Sequence, residues 1–155
     1  MTTKIYQLML LLILIALTAC SDSRLSPEDE IRQYIKAGVE AAEARDAGDL
    51  AGLIHENYRD KNQQPKAQLK KLATLYFFRH KNIHLFTKIN EIDFLSPTEA
   101  QVTMHVAMAG TIISDASVLS SLRARIYKFE LSLLKEDEWL LTAASWAPAD
   151  VGGLQ

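Results

Sequence analysis

The sequence predicts an α+β fold, with three helices followed by a four-strand antiparallel meander. Two observations predict it. Apolar residues recur at helical spacing as far as Phe78, and after Asn82 the period changes to two. Helices therefore come first and strands second, an order that makes two packed layers. A length of 155 residues suits one domain.

The first segment is not part of that fold. Lys4 precedes an unbroken apolar run, Leu8 to Leu17, and the small residues Thr18 and Ala19 follow. This is the layout of a signal peptide, and the run is shorter than the roughly 20 residues that cross a bilayer. Leu17-Thr18-Ala19-Cys20 resembles the lipobox of bacterial lipoproteins. That resemblance implies cleavage after residue 19 and lipid, including palmitate, on Cys20. It also implies a tether over 20–25 and a place in the cell envelope. Ser21 in the next position implies the outer membrane, facing the periplasm. Stable anchoring takes two or more membrane signals, and a diacylated cysteine supplies them. Cleavage would remove one basic residue, leaving 136 residues with 16 basic and 19 acidic side chains, a net −3. A domain this close to neutral lacks the basic stripe of a nucleic-acid binder. At this charge the anchor, rather than general attraction to anionic lipid, is expected to hold it at the membrane.

Ser26 is a capping residue, Pro27 suits the first helical position, and Glu28 and Asp29 favour the positive helix end. Ile31, Ile35, Val39 and Ala42 make the first stripe, which Gly48 is expected to stop. Asp49 then caps a second helix reaching Tyr58, and Pro65 opens a third. Leu69, Leu72, Ala73 and Tyr76, widened by Leu75, Phe77 and Phe78, make this third helix apolar on most sides. Such a helix is expected to be buried between the sheet and the other helices. Strands are expected over 85–94, 100–108, 122–134 and 139–147. They are joined by the turn at Ser96-Pro97-Thr98, a loop over 110–121 and a charged turn at Lys135-Glu136-Asp137-Glu138. The tail, 149–155, reads as loose. Several strands are apolar on both faces, so a homodimer through the outer sheet face is expected.

The junction Asp46-Ala47-Gly48-Asp49-Leu50, the helix-then-strand order and the last hairpin from Tyr127 to Leu141 together resemble the nuclear transport factor 2-like superfamily, also called the cystatin-like cone fold. The resemblance covers about 27–148 and implies a strongly curved sheet wrapped around the helices, with a pocket inside. Some relatives are isomerases or dehydratases and others only bind, so the fold alone assigns no activity. Similarity to ketosteroid isomerases would put a general base at Asp60. The matching oxyanion positions hold Ala41 and Arg125, which do not reproduce that set. Such catalysis usually draws more on its oxyanion donors than on any other group, so their loss weighs against it. Dehydratase-like relatives use histidines and tyrosines, for which His84, His105, Tyr58 and Tyr127 are available.

Other chemistry is sparse. A lone cysteine makes neither an internal disulfide nor a thiolate zinc site. His55-Glu56 does not continue into a metalloprotease motif, and His80 and His84 would share a face only if the helix ran through Asn82. No metal and no cofactor are expected. Arg123 and Arg125 alternate onto the face that carries Tyr127 and Phe129. Inside a cone they would hold an anionic or amphipathic ligand, and otherwise they would pair with Glu91, Asp93 or Asp60. Trp139 and Trp146 read as core or interface anchors, and Lys66, Lys70 and Lys71 as a solvated face. The expected function is a membrane-anchored, non-catalytic domain that binds a small amphipathic ligand or a protein partner through Tyr58, Asp60, Arg123, Arg125 and Tyr127. The alternatives are an enzyme with Asp60 as base and a structural dimerising module.

Overall fold

The structure, a computed structural model, describes residues 25–112, 114, 115, 117 and 124–154. Cys20, Arg123 and the leader lie outside the described residues. Helix α1 spans Pro27–Glu43, with the Ser26 hydroxyl accepting from the Asp29 amide at 3.1 Å. It ends earlier than glycine logic predicts. Arg45 takes the left-handed conformation (φ 59°), and Asp46 caps α2, Ala47–Gly52, by accepting from the Gly48 and Asp49 amides. Gly48 is therefore inside the first turn of α2 and stops nothing, and the cap is Asp46 rather than Asp49.

Helix α2 does not reach Tyr58. The backbone past Gly52 leaves the helix to pair with the sheet: the Leu141 amide donates to the Leu53 carbonyl, and the His55 amide to the Leu141 carbonyl, each at 3.0 Å. Helix α3, Lys66–Arg79, packs on α2 rather than between sheet and helices. Phe77 is its only buried residue, while Leu72, Leu75 and Phe78 are exposed at 42%, 45% and 87%. The expectation of a helix buried on most sides is thus corrected. Its apolar residues reach all round, but one neighbouring layer covers only part of them.

Strands β1 (His84–Ser96), β2 (Glu99–Ala109), β3 (Arg125–Lys135) and β4 (Trp139–Pro148) form an antiparallel sheet in sequence order. The sheet bends at register shifts. Asn90 is the extra residue between the pairs Ile89–Met104 and Glu91–Thr103, so Ile89 and Ile92 both pack toward the helices. Thr142 plays the same part in β4, with Leu141 and Ala144 buried on either side of it. Bulges of this kind kink a strand and raise its twist, curling the sheet around the helices. The concave face and α1 share the main core, including Ile31, Ile35, Tyr58, Val102, Leu133 and Trp139. The Glu30 carboxylate ties α1 to the last hairpin, accepting from Lys135 Nζ at 2.5 Å and Trp139 Nε1 at 3.0 Å.

The outer face differs from the apolar one expected. Lys88, His105 and Lys128 cross its middle in register, beside Thr103, Glu130 and Ser145. Nor is the tail loose. Val151–Leu154 is a 3-10 turn that folds back on this face, where Leu154 (3% exposed) and Val151 cluster with Phe86, Ala107 and Ile126. Asn90 fastens it, donating to the Gly153 carbonyl at 3.0 Å while its Oδ1 lies 2.7 Å from His105 Nδ1. Among the described residues, 25–154 contain both hydrophobic clusters and every strand of the sheet, so this part of the chain carries the core that independent folding requires.

Candidate functional site

The curled sheet and α1–α3 line an open-mouthed cavity of about 280 Å³, just under the usual size of small-molecule sites. Its wall comes from α1 (Tyr34, Ile35, Val39), from α3 (Leu69, Ala73) and from the concave sheet (Met104, Val106, Phe129, Leu131). Among the described residues no Asp, Glu, His, Lys or Arg lines it. The wall is apolar because the strands alternate and the bulges keep the inward set in phase.

The notable polar group in the wall is Tyr34, a residue outside the set expected from the sequence. Its hydroxyl donates to the Leu53 carbonyl at 3.0 Å, and burial raises its pKa well above the usual phenol value. The signal was available: Tyr34 is three residues past Ile31 and next to Ile35, on the stripe facing the core.

Beyond the cavity lies an open groove that serves as its mouth. Leu69, Ala73, Leu85, Met108, Phe129 and Trp146 line both. The rim adds Leu72 and Leu75 from α3, and Arg125 from β3. Arg125 is thus on the concave side, as its alternation predicts, but exposed at the mouth rather than inside the cone. No ion pair to Glu91, Asp93 or Asp60 is found for it among the described residues. Tyr127 is half-buried with its ring edge-on to Phe129, centroids 6.4 Å apart.

Tyr58 and Asp60 lie elsewhere. Asp60 is 6% exposed and lines a shallow polar dish with Lys61, Gln101, Thr103 and Glu130. Its Oδ1 accepts from the Asn62 and Gln64 amides at 2.7 and 2.9 Å, a side-chain turn that shapes the loop before α3. Tyr58 is fully buried in the core, and its hydroxyl is the single buried side-chain polar atom without a partner among the described residues. Burial, and then the Asp60 carboxylate, push its pKa up to about 12.

The histidines do not converge. His80 ends α3 with its ring 4.2 Å from that of Tyr76, His84 opens β1, and His105 holds the tail on the outer face. Among the described residues no group of three His, Cys, Asp or Glu is placed to hold a metal, and no helix is long and apolar enough to cross a membrane.

No family model and no curated protein matches the sequence. Solved structures match its shape. The Bd1075 protein of Bdellovibrio bacteriovorus aligns with a TM-score of 0.63 at 10% identity over 81% of this chain, which spans 45% of that chain. A nuclear transport factor 2-like protein of unknown function from Shewanella oneidensis aligns with a TM-score of 0.59 at 18% identity, covering 78% of this chain and 98% of that one. A ketosteroid isomerase-like protein from Erwinia carotovora atroseptica gives 0.59 at 13%, covering 81% and 99%. At these identities the likeness is one of architecture: the chain has the nuclear transport factor 2-like fold, an open four-strand antiparallel sheet curled around three helices.

Proposed function

We propose that this protein is a lipid-anchored envelope protein that holds a small apolar or amphipathic molecule in its cone without transforming it. The observation that supports binding without catalysis is the wall itself. A cavity with apolar sides and, among the described residues, no carboxylate, imidazole, amine or guanidinium in its wall can bury a hydrocarbon chain. The described wall holds two hydroxyls, Thr87 and Tyr34, the latter already engaged with Leu53, and neither is an effective base near neutral pH. Arg125 at the mouth suits an anionic head group left outside. The anchor reading rests on the residues around Cys20 in the sequence.

The test uses residues 25–155 and the fluorescent fatty acid cis-parinaric acid. Saturable binding is expected. Ala73→Trp, which plugs the passage between mouth and cavity, is expected to weaken it by about tenfold or more, since filling the site removes the burial that drives binding. Absence of saturable binding, or equal binding by a folded Ala73→Trp, would refute the proposal. Labelling with radioactive palmitate, lost in Cys20→Ser, tests the anchor.

The enzyme reading, with Asp60 as base, draws on one observation: the unpartnered Tyr58 hydroxyl close to that carboxylate. Its substrate would approach by the outer dish, not the cone. A structural dimer through the outer face would form on its polar middle.

A further inference from the structure

The third helix carries a second surface that the cavity does not explain. Residues 61–90 hold seven of the chain's 17 basic residues and none of its 19 acidic ones. Lys70, Lys71, Arg79 and Lys81 are exposed and make no ion pair with the described residues. Leu72, Leu75 and Phe78 stand among them. At about 100° per residue these three fall within an arc of about 120°, and Lys71 and Arg79 fall in the same arc. Phe78 is 87% exposed, which is costly for a phenyl ring in water. Leu72, Leu75 and Arg79 of this arc also form one rim of the cone mouth, across the groove from Trp146 and Arg125.

Exposed apolar side chains set between cations, on a chain otherwise rich in acid, match the surface of an anionic bilayer. Phosphate head groups take the lysines and arginine, and Leu72, Leu75 and Phe78 enter the boundary with the acyl chains. A second copy fits less well, because a two-fold contact would bring Lys71 and Arg79 of both copies onto one face. We infer that α3 docks the domain on an anionic lipid surface, with the cone mouth turned toward the bilayer. The expectation that this face is merely solvated then gives way, since the low net charge averages a basic helix with an acidic remainder. The inference does not rest on a ligand in the cone, and vesicle binding by a protein whose cavity takes no probe leaves it standing.

The experiment is co-sedimentation of residues 25–155, without leader or anchor, with phosphatidylcholine vesicles and with vesicles in which about a third of the lipid is phosphatidylglycerol. Binding to the anionic vesicles is expected to be at least about tenfold stronger, and to fall as salt is raised and shortens the Debye length. Lys71→Glu with Arg79→Glu is expected to lower that binding about tenfold or more. Phe78→Ser, at a site too exposed to unfold the domain, is expected to lower it about tenfold. Equal binding to both vesicles, or unchanged binding by either variant, would overturn the inference. So would lipid-free dimers that Phe78→Ser dissociates, since a second copy would then own this face.

Discussion

Gly153→Ala tests whether the tail belongs to the fold. A β-carbon at 153 would lie 2.2 Å from His105 Nε2 and 2.3 and 2.4 Å from the two ring carbons beside it. Real β-carbons do not approach other atoms so closely. His105 has little room to yield, because its Nδ1 is held to Asn90, which also holds the Gly153 carbonyl. The tail should therefore lift, and with it Leu154, now 3% exposed. Burying a leucine side chain contributes about 1.5–3 kcal/mol, part of it offset by the freedom that the released residues regain. A loss of about 1–2 kcal/mol is expected in urea unfolding, with faster amide exchange in the tail. His105→Ala removes the obstacle, so Gly153→Ala should add little further loss in the His105→Ala background. Stability unchanged by Gly153→Ala, with exchange in the tail as slow as before, would refute the reasoning.

Other perturbations have equally definite signs. Tyr58→Phe removes a buried hydroxyl that has no partner, so it should be neutral or stabilise by about 1 kcal/mol, where losing a satisfied hydroxyl would destabilise; thermal unfolding decides between them. Tyr58 also keeps its proton in the folded state up to about 12 against an ordinary value of 10.0, so native stability should fall as pH rises between those values, and Tyr58→Phe should flatten that limb. At the acid end, Glu30, Glu56 and Glu130 are held below 4.5, chiefly by hydrogen bonds from Lys135, Lys66 and Lys128 respectively. Their contribution is present above 4.5 and is lost as pH falls through the lowered folded values. Urea midpoints across that range should show a slope that Glu30→Gln reduces.

Local chemistry makes much of the fold readable. Ser26-Pro27 starts α1 where capping rules put it, and alternation locates the strands to within a few residues. The departures have tertiary causes. Helix α2 ends at Gly52 because the next residues hydrogen-bond to Leu141, far along the chain, which no local pattern announces. Gly48 resembles a stop because glycine is the usual one, yet Arg45 supplies the left-handed turn. Asp60 and Tyr58 belong to the pocket wall only if the second helix leads straight into it, and that segment runs instead along the β4 edge. The apolar cavity follows from alternation once the bulges are known, but the extra residues Asn90 and Thr142 leave no mark on the sequence.

Asn90 acts on both faces of the sheet. Its backbone is the insertion that curls β1 inward over the cavity, and its side chain is the pin that closes the tail over the opposite side. The lumen of the cone and the seal on its back are therefore linked through one residue. Any drift in the volume of the site that passes through this position must carry the C-terminus with it. A protein fused or tagged after Gln155 would in turn pull on the strand that shapes the cavity, so engineering of this chain is better begun at the hairpin turns than at its end.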